Sequence, residues 1–295
     1  MSSSALDSAH VRWNAATTVA LLTAVVWLYW NVVPGLVRQW AADGDYSHGF
    51  FVLPLAAFFV WERRDALRRA VRRPSSLGVV VLVGSLLCYI AGVFGSELFL
   101  TRVSLIGVAA GLVLFIAGIE HARILAFPLL FLLLMVPLPE IVFSRITFPL
   151  QMVASRLGEA AIGASGIPVL REGNVLYLPG RALEVAEACS GIRSLITLAM
   201  LAIVLGYFTE RRIGVRVAIV VAAIPIAVLA NAIRVAGTGL ISYWGSPAAA
   251  EGFLHSFSGW IVFVVALVGL LGFQRIVGAL LSRQRVRRVA EVSWS

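Results

Sequence analysis

The chain has 295 residues, of which 60% are hydrophobic and 13% are charged. A mean hydropathy of +0.93 excludes a soluble globular domain and predicts a protein with several membrane spans. The net charge of +9 comes from 24 basic residues, all of them arginines that lie mostly in short loops and in the C-terminal tail. The charge rule for membrane loops explains this pattern better than nucleic-acid binding does, so we expect no nucleic-acid partner.

The apolar stretches predict about eight transmembrane helices, because a bilayer crossing needs roughly 20 apolar residues. The fold class is therefore an all-α polytopic membrane protein, organised as a single integral membrane domain over residues 1–295. Pro225 is expected to kink the long seventh span. The predicted spans are residues 15–36, 48–61, 76–95, 98–118, 122–139, 189–207, 213–243 and 253–277.

The arginines predict the orientation of these spans. With the N-terminus inside, 16 arginines fall on the inner side and six on the outer side. Since cytoplasmic loops carry the excess of basic residues, both termini are expected in the cytoplasm. Residues 278–295 then form a cytoplasmic basic tail.

Residues 140–188 form the longest predicted piece outside the spans, and they lie on the outer face before the sixth span. Residues 141–162 are expected to form an amphipathic helix along the membrane interface or a segment that dips into the membrane. Residues 166–180 alternate short apolar runs with turn residues, which predicts a small hairpin or strand pair. Such a flap is suited to holding an extended substrate.

One of the two cysteines, Cys189, begins the sixth predicted span on the outer side, just after Glu187. A helix N-terminus favours a thiolate, and Arg193 lies one turn later on the same helical face. The alternative is an inert buried thiol, which is the interpretation that we give to Cys88 inside its apolar stretch. These features indicate a nucleophile at the membrane surface.

A charged residue in the seventh span, Arg234, is expected on the same outer face. An arginine at the centre of an apolar helix costs about 2.5 to 3.5 kcal/mol on insertion scales, so it should face the bundle or water. It either pairs structurally with Glu187, Glu184 or backbone carbonyls, or directs its donors at an oxyanion or a substrate carboxylate. Asn231, three residues earlier, is expected to hold the arginine or join it.

Two histidines on the outer side are candidate proton carriers, since imidazole titrates near neutral pH. His255 begins the eighth span, where the topology brings it towards Cys189 and Arg234. His48 is a rival base or a substrate contact. No cluster of His, Cys, Asp and Glu has the spacing of metal ligands, so neither a metal nor another cofactor is expected.

Several sequence blocks resemble those of the exosortase/archaeosortase family, in order over about residues 45–260. The three signature blocks are Val185-Ala-Glu187-Ala-Cys189-Ser-Gly191-Ile-Arg193-Ser, Asn231-Ala-Ile-Arg234-Val and His255-Ser-Phe-Ser-Gly259-Trp260. Three further matching blocks are Tyr46-Ser-His48-Gly, Met135-Val-Pro137-Leu-Pro139 and Gly173-Asn174-Val-Leu-Tyr-Leu-Pro179. The combination is far more specific than any one block.

The resemblance implies a multi-pass cysteine transpeptidase of the bacterial inner membrane, usually in organisms that make exopolysaccharide. Its partners would be membrane lipid and substrate proteins with a C-terminal PEP-CTERM-type signal, which combines a short motif, a transmembrane helix and a basic cluster. Cleavage on the periplasmic side would use Cys189 as nucleophile, Arg234 as the stabilising cation and His255 for proton transfer. A thioester acyl-enzyme would then pass the protein to an acceptor that the sequence leaves open, as it leaves open transfer or hydrolysis.

A function from another class also fits an intramembrane arginine. The chain would then be a non-enzymatic transporter or a lipid-intermediate-binding subunit of an exopolysaccharide system, with Arg234 and Arg193 binding an anionic head group. Cys189 separates the two hypotheses, because a transporter should tolerate its replacement by serine.

Overall fold

The structure is a computed structural model that describes residues 15–185, 192–244 and 253–292, with the backbone alone at 15–18, 253–258 and 281–292. The chain divides into two compact units, Met1–Pro139 and Glu140–Ser295. The described part is mostly helical and contains one small sheet, which confirms the predicted helical class.

The first unit is built from helices joined by short turns. Two 3₁₀ turns, Gly44–Tyr46 and Leu132–Met135, precede the third helix and follow the seventh. Asp43 begins the first of these turns, because its Oδ1 accepts the backbone N–H of Asp45 at 2.9 Å. The helices are α1 (Ala15–Leu28), α2 (Val32–Ala42), α3 (Gly49–Glu62), α4 (Arg64–Arg69), α5 (Leu77–Phe94), α6 (Leu98–Ile116) and α7 (Ile119–Phe131).

Helices α5 and α6 form a tight antiparallel hairpin. Glu97 caps the N-terminus of α6, where its carboxylate accepts the N–H of Phe99 at 3.2 Å. Gly111 on α6 faces α5 so closely that a Cβ there would lie 2.8 Å from Leu82 Cγ. Small residues let two apolar helices approach closely in this way, which is a common device in membrane proteins.

The described part of the second unit combines four helices with a three-stranded antiparallel sheet in the order β1-β2-β3. The register pairs Glu172 with Val175 and Leu176 with Leu183. The elements are α8 (Glu140–Ala164), β1 (Leu170–Glu172), β2 (Val175–Leu178), β3 (Arg181–Glu184), α9 (Ile192–Thr209), α10 (Ile213–Trp244) and α11 (Phe253–Val292).

Two apolar clusters hold the second unit together. Helices α9, α10 and α11 meet along a seam in which α10 contributes Ala223, Ala227 and Ala230. Helix α8 and the sheet pack on the later part of α10, where Leu176 and Ile162 are fully buried. Since the burial of apolar side chains is the main stabilising contribution, α10 is the central element of this unit.

The span count differs from the prediction in its details. Five helices of the described chain are long and apolar enough to cross a membrane, or up to seven if each of two bent helix pairs is one span, so eight spans are not confirmed. The predicted span 15–36 is broken between α1 and α2, which bend by 51°. The predicted span 48–61 corresponds to a helix of 14 residues, and span 122–139 gives way to a 3₁₀ turn and two prolines.

The segment before α9 contains the predicted helix and adds a strand that was not predicted. Residues 140–164 form a helix that buries one face against α10, with Gln151, Ser155 and Gly158 on the buried side. The predicted strand pair is a sheet of three strands, because Arg181–Glu184 adds a third. Helix α11 continues beyond the predicted end at 277 as far as Val292.

Candidate active site

The best-defined part of the candidate site is the contact between Arg234 on α10 and Gly259 on α11. A Cβ at residue 259 would lie 3.9 Å from both Cζ and Nη1 of Arg234. The guanidinium therefore lies across the backbone of α11 in van der Waals contact range. The Arg234 side chain is partly exposed, but its Nε is buried. The arginine thus faces the helix bundle, as expected of a charge within an apolar helix.

Asn231 and Arg193 were predicted to support this arginine. Asn231 lies three residues before Arg234 on α10, and its side chain is only 2% exposed. A buried amide next to a guanidinium is suited to holding its orientation. Arg193 is the second residue of α9 and is exposed. The structure therefore separates the two by burial, with Asn231 in the packed interior and Arg193 on the surface.

Val185, which follows the sheet, packs against the part of α10 that carries Arg234. Val185 follows β3, is 1% exposed, and packs in one cluster with Val235 and Ala236, the two residues after Arg234. Its backbone N–H donates to Asn174 O at 2.9 Å, and Asn174 Nδ2 donates to Val185 O at 3.3 Å. Val185 is therefore fixed from two sides immediately before the segment 186–191.

Polar contacts fasten the sheet to both neighbouring helices. Ser155 Oγ on α8 donates to Gly173 O at 3.1 Å, and Gly173 has a positive φ of 64°, which glycine adopts readily. Arg171 pairs with Glu159 of α8 at 3.1 Å. Arg181 on β3 donates to the backbone oxygen of Ser242 near the end of α10. A cation at the carbonyl end of a helix is favourable, so this contact stabilises both elements.

Three predicted site residues lie wholly or partly outside the described structure. Cys189 and Glu187 fall in segment 186–191, which is not described. His255 belongs to the first turn of α11, where only the backbone is described. Their roles as nucleophile, supporting carboxylate and proton carrier stay predictions.

His48, the rival base, is held by backbone on both sides. Its Nδ1 lies 3.1 Å from Asp45 O and its Nε2 lies 2.9 Å from Leu134 O. A carbonyl oxygen only accepts hydrogen bonds and a neutral imidazole carries one N–H, so the ring donates to one of these two oxygens, and the tautomer decides which one. The ring is 5% exposed. These contacts favour a structural role for His48, which joins the turn before α3 to the turn after α7.

The neighbours of His48 also make contacts that favour a structural role. Trp40 Nε1 donates to Met135 O at 2.9 Å. The indole also covers Gly49, where a Cβ would lie 2.5 Å from the ring. Two of the motif blocks found in the sequence, around His48 and around Met135, therefore meet in one packed cluster of the first unit.

One buried charge was not predicted as a site residue. Arg102 lies in the second turn of α6 and is 4% exposed. Arg102 is one of the six arginines predicted to lie on the outer side. A signal was present, since residue 102 falls inside the predicted span 98–118, and a charge within a span indicates a functional candidate.

The described residues contain no group of three or more His, Cys, Asp or Glu side chains that could hold a metal ion.

Comparison with known proteins identifies the family. The model of the transmembrane exosortase family matches residues 40–272, which is most of the chain and includes Arg234 and Gly259. No curated protein and no solved structure matches. The resemblance inferred from the sequence blocks is confirmed, and the chain belongs to the transmembrane exosortase family.

Proposed function

We propose that this protein is a cysteine transpeptidase in which Cys189, Arg234 and His255 form the catalytic site. The observation that carries the proposal is the position of the Arg234 guanidinium across Gly259 of α11. The guanidinium is a cation at the contact between α10 and α11. The sequence motifs on both helices independently indicate catalysis.

The helical geometry supports a place for His255 near this cation. His255 precedes Gly259 by four residues in α11. Residues four apart lie on one face of a helix, about 6 Å apart along its axis. The backbone position of His255 is therefore one turn from the point where the guanidinium crosses α11.

The buried position of Val185 supports a place for Cys189 near the same cation. Val185 packs beside the residues that follow Arg234. Cys189 is four residues further along the chain, which limits its Cα to about 14 Å from that of Val185 even when the chain is fully extended. Ile192, which begins α9, is 2% exposed, so the described residues on both sides of 186–191 are buried.

The chemistry follows from these three groups. The Cys189 thiolate attacks the scissile carbonyl, and the Arg234 guanidinium stabilises the oxyanion. His255 protonates the leaving amine as the C–N bond breaks, which leaves a thioester between Cys189 and the substrate. An incoming amine or water, deprotonated by His255, then attacks the thioester and releases the thiolate.

The substrate class follows from the family. We propose that the substrates are proteins with a C-terminal sorting signal of the PEP-CTERM type, which carries a transmembrane helix. The arginine bias favours the inner membrane, cytoplasmic termini and cleavage on the periplasmic side. A substrate helix reaches the site laterally through lipid, which suits a catalytic arginine held between two membrane helices.

The test is to co-express the chain with a tagged substrate of this type and to compare Cys189→Ala with the wild type. Loss of the nucleophile removes covalent catalysis, and the expected fall in rate is on the order of 10⁶-fold, so no shortened substrate should be visible on a gel. Cys88→Ala is the matched control. Cys88 lies in α5, where its Sγ is 3.5 Å from Leu100 O, and its replacement should leave cleavage unchanged.

The outcomes separate the candidate functions. Equal cleavage by wild type and Cys189→Ala, at matched protein levels, would exclude Cys189 as the nucleophile. Retained biological function in Cys189→Ser without any cleavage would favour the transporter or lipid-intermediate-binding hypothesis. Mass analysis of the new C-terminus then distinguishes transfer to an acceptor from hydrolysis.

A further inference from the structure

The buried Arg102 of the first unit is a second intramembrane cation, and it is remote in sequence from the catalytic motifs. Its Nη1 donates to Gln39 Oε1 on α2 at 2.6 Å. The side chain of Tyr46 lies within electrostatic range of the guanidinium and is 7% exposed. A guanidinium has five N–H donors. In the described part of the chain, Gln39 is the one hydrogen-bond acceptor that contacts Arg102.

The carboxylates of Asp43 and Glu97 accept hydrogen bonds from other backbone groups. Asp43 Oδ1 accepts the N–H of Asp45 at 2.9 Å, and Glu97 Oε1 accepts the N–H of Phe99 at 3.2 Å. No carboxylate among the described residues forms an ion pair with Arg102. Since a buried charge without a counter-charge is costly, the site is matched to an anion that the described residues do not supply.

Aromatic residues indicate the depth of Arg102 relative to the membrane surface. Tyr29, at the end of α1, bonds through its hydroxyl to Ser104 Oγ at 2.8 Å, two residues from Arg102. The tryptophans on either side of Tyr29 are strongly exposed, Trp27 at 81% and Trp30 at 68%. Exposed tryptophans concentrate at the level of lipid head groups.

A second contact, between α1 and α5, supports the same depth for Arg102. Tyr89 on α5 donates to Leu28 O at 3.2 Å, which joins the end of α1 to the later part of α5. Phe94, the last residue of α5, is 87% exposed, and Leu98 begins α6 one turn before Arg102. The exposed aromatics and Arg102 therefore share one end of the α1, α5 and α6 group.

We propose that Arg102, with Gln39 and Tyr46, binds the phosphate of an anionic phospholipid. The planar guanidinium presents paired donors to phosphate oxygens, and the neutral amide of Gln39 gives way to the charged acceptor. Gln39 is only partly buried, so it is the partner through which a head group reaches the arginine. The bound lipid supplies the missing negative charge and anchors α2 against α6.

The test uses the purified full-length chain in a neutral detergent and measures its Tm with added phosphatidylglycerol, phosphatidylcholine or inorganic phosphate. A ligand that binds the folded state stabilises it by mass action. Phosphatidylglycerol at about 100 times its Kd should raise the Tm by about 5–10 °C. Phosphatidylcholine and inorganic phosphate at the same concentration should have much smaller effects.

Two variants identify the site. Arg102→Met should lose most of the phosphatidylglycerol-dependent rise, whereas the matched control Arg38→Met should retain it. Arg38 lies next to Gln39 on α2 and is exposed, so its replacement removes the same charge without touching the buried cluster. An equal rise in Arg102→Met and wild type, or an equal loss in Arg38→Met, would overturn the proposal.

A third variant keeps the proposal testable if Arg102→Met fails to fold. Gln39→Ala retains the guanidinium and removes its protein acceptor, so the Tm should fall without lipid and recover with phosphatidylglycerol. A purely structural Arg102–Gln39 pair predicts the same fall with and without lipid, and that result would contradict the lipid site. An equal rise with inorganic phosphate would show that a soluble oxyanion occupies the site instead.

Discussion

In the first unit, the ring of the motif residue His48 lies between two backbone carbonyl oxygens, whereas in the second unit the motif residue Arg234 extends its guanidinium across a glycine. The two blocks are equally prominent in the sequence. Their contacts differ, because His48 joins two turns of one packed cluster and Arg234 lies at the junction of two helices. Motif membership therefore does not by itself separate a structural residue from a candidate catalytic one.

The largest effect in this comparison is expected from Arg234→Gln, which removes the cation and keeps a polar side chain. Loss of one oxyanion donor typically lowers kcat by about 10²- to 10³-fold. Arg216→Gln is the matched control on the same helix. Arg216 donates to Glu210 O at 2.7 Å and stacks on Tyr207, outside the proposed site. Initial rates of substrate cleavage measure the effect of both variants. Equal rates for Arg234→Gln and wild type would contradict the proposed role of Arg234 in stabilising the oxyanion.

A smaller, graded effect is expected from substitutions of Gly259. A Cβ there would lie 3.9 Å from the guanidinium, which is an ordinary contact, so Gly259→Ala should retain most of the cleavage rate. Gly259→Leu places a bulky side chain where the guanidinium lies and should lower the rate by at least about 10-fold, since displacing a catalytic group by about 1 Å is costly. Both variants should be produced at wild-type levels. Equal rates for alanine and leucine would show that this contact does not position Arg234.

The smallest effect on chemistry is expected from His48→Ala. Its replacement leaves the oxygen of Asp45 or of Leu134, whichever accepts the ring N–H, without its donor, and a buried unsatisfied group costs about 1–3 kcal/mol. The Tm should therefore fall, while the cleavage rate per folded molecule stays near that of the wild type. Thermal unfolding and cleavage assays on the same preparation test this. Abolished cleavage with an unchanged Tm would instead identify His48 as the proton carrier.

The helices of the second unit were largely predictable from sequence, and the reason is periodicity over long apolar runs. Helices α9, α10 and α11 begin close to the predicted starts at 189, 213 and 253. The first unit was harder to predict, because its boundaries depend on local geometry. The break between α1 and α2 and the 3₁₀ turn after α7 interrupt runs that are mostly apolar.

Among the site residues, the prediction that Arg234 faces the bundle rested on the energetic cost of a charge in lipid. The contact with Gly259 was not predictable, since it depends on the packing of α10 against α11. The predicted catalytic roles of Cys189 and His255 stay predictions. The sequence left open whether His48 or His255 is the base, and only the structure bears on that choice, because it places the His48 ring between two backbone carbonyl oxygens.

The sequence by itself determined that this is a multi-pass membrane protein of the exosortase family, because hydropathy and ordered motifs are properties of composition and spacing. The tertiary structure decided which polar groups of each unit are enclosed together. Arg102 meets Gln39, and Arg234 meets Gly259, only because helices distant in sequence pack side by side. In an apolar chain, each charge must find a partner within the fold or take one from outside, and packing determines which of the two occurs.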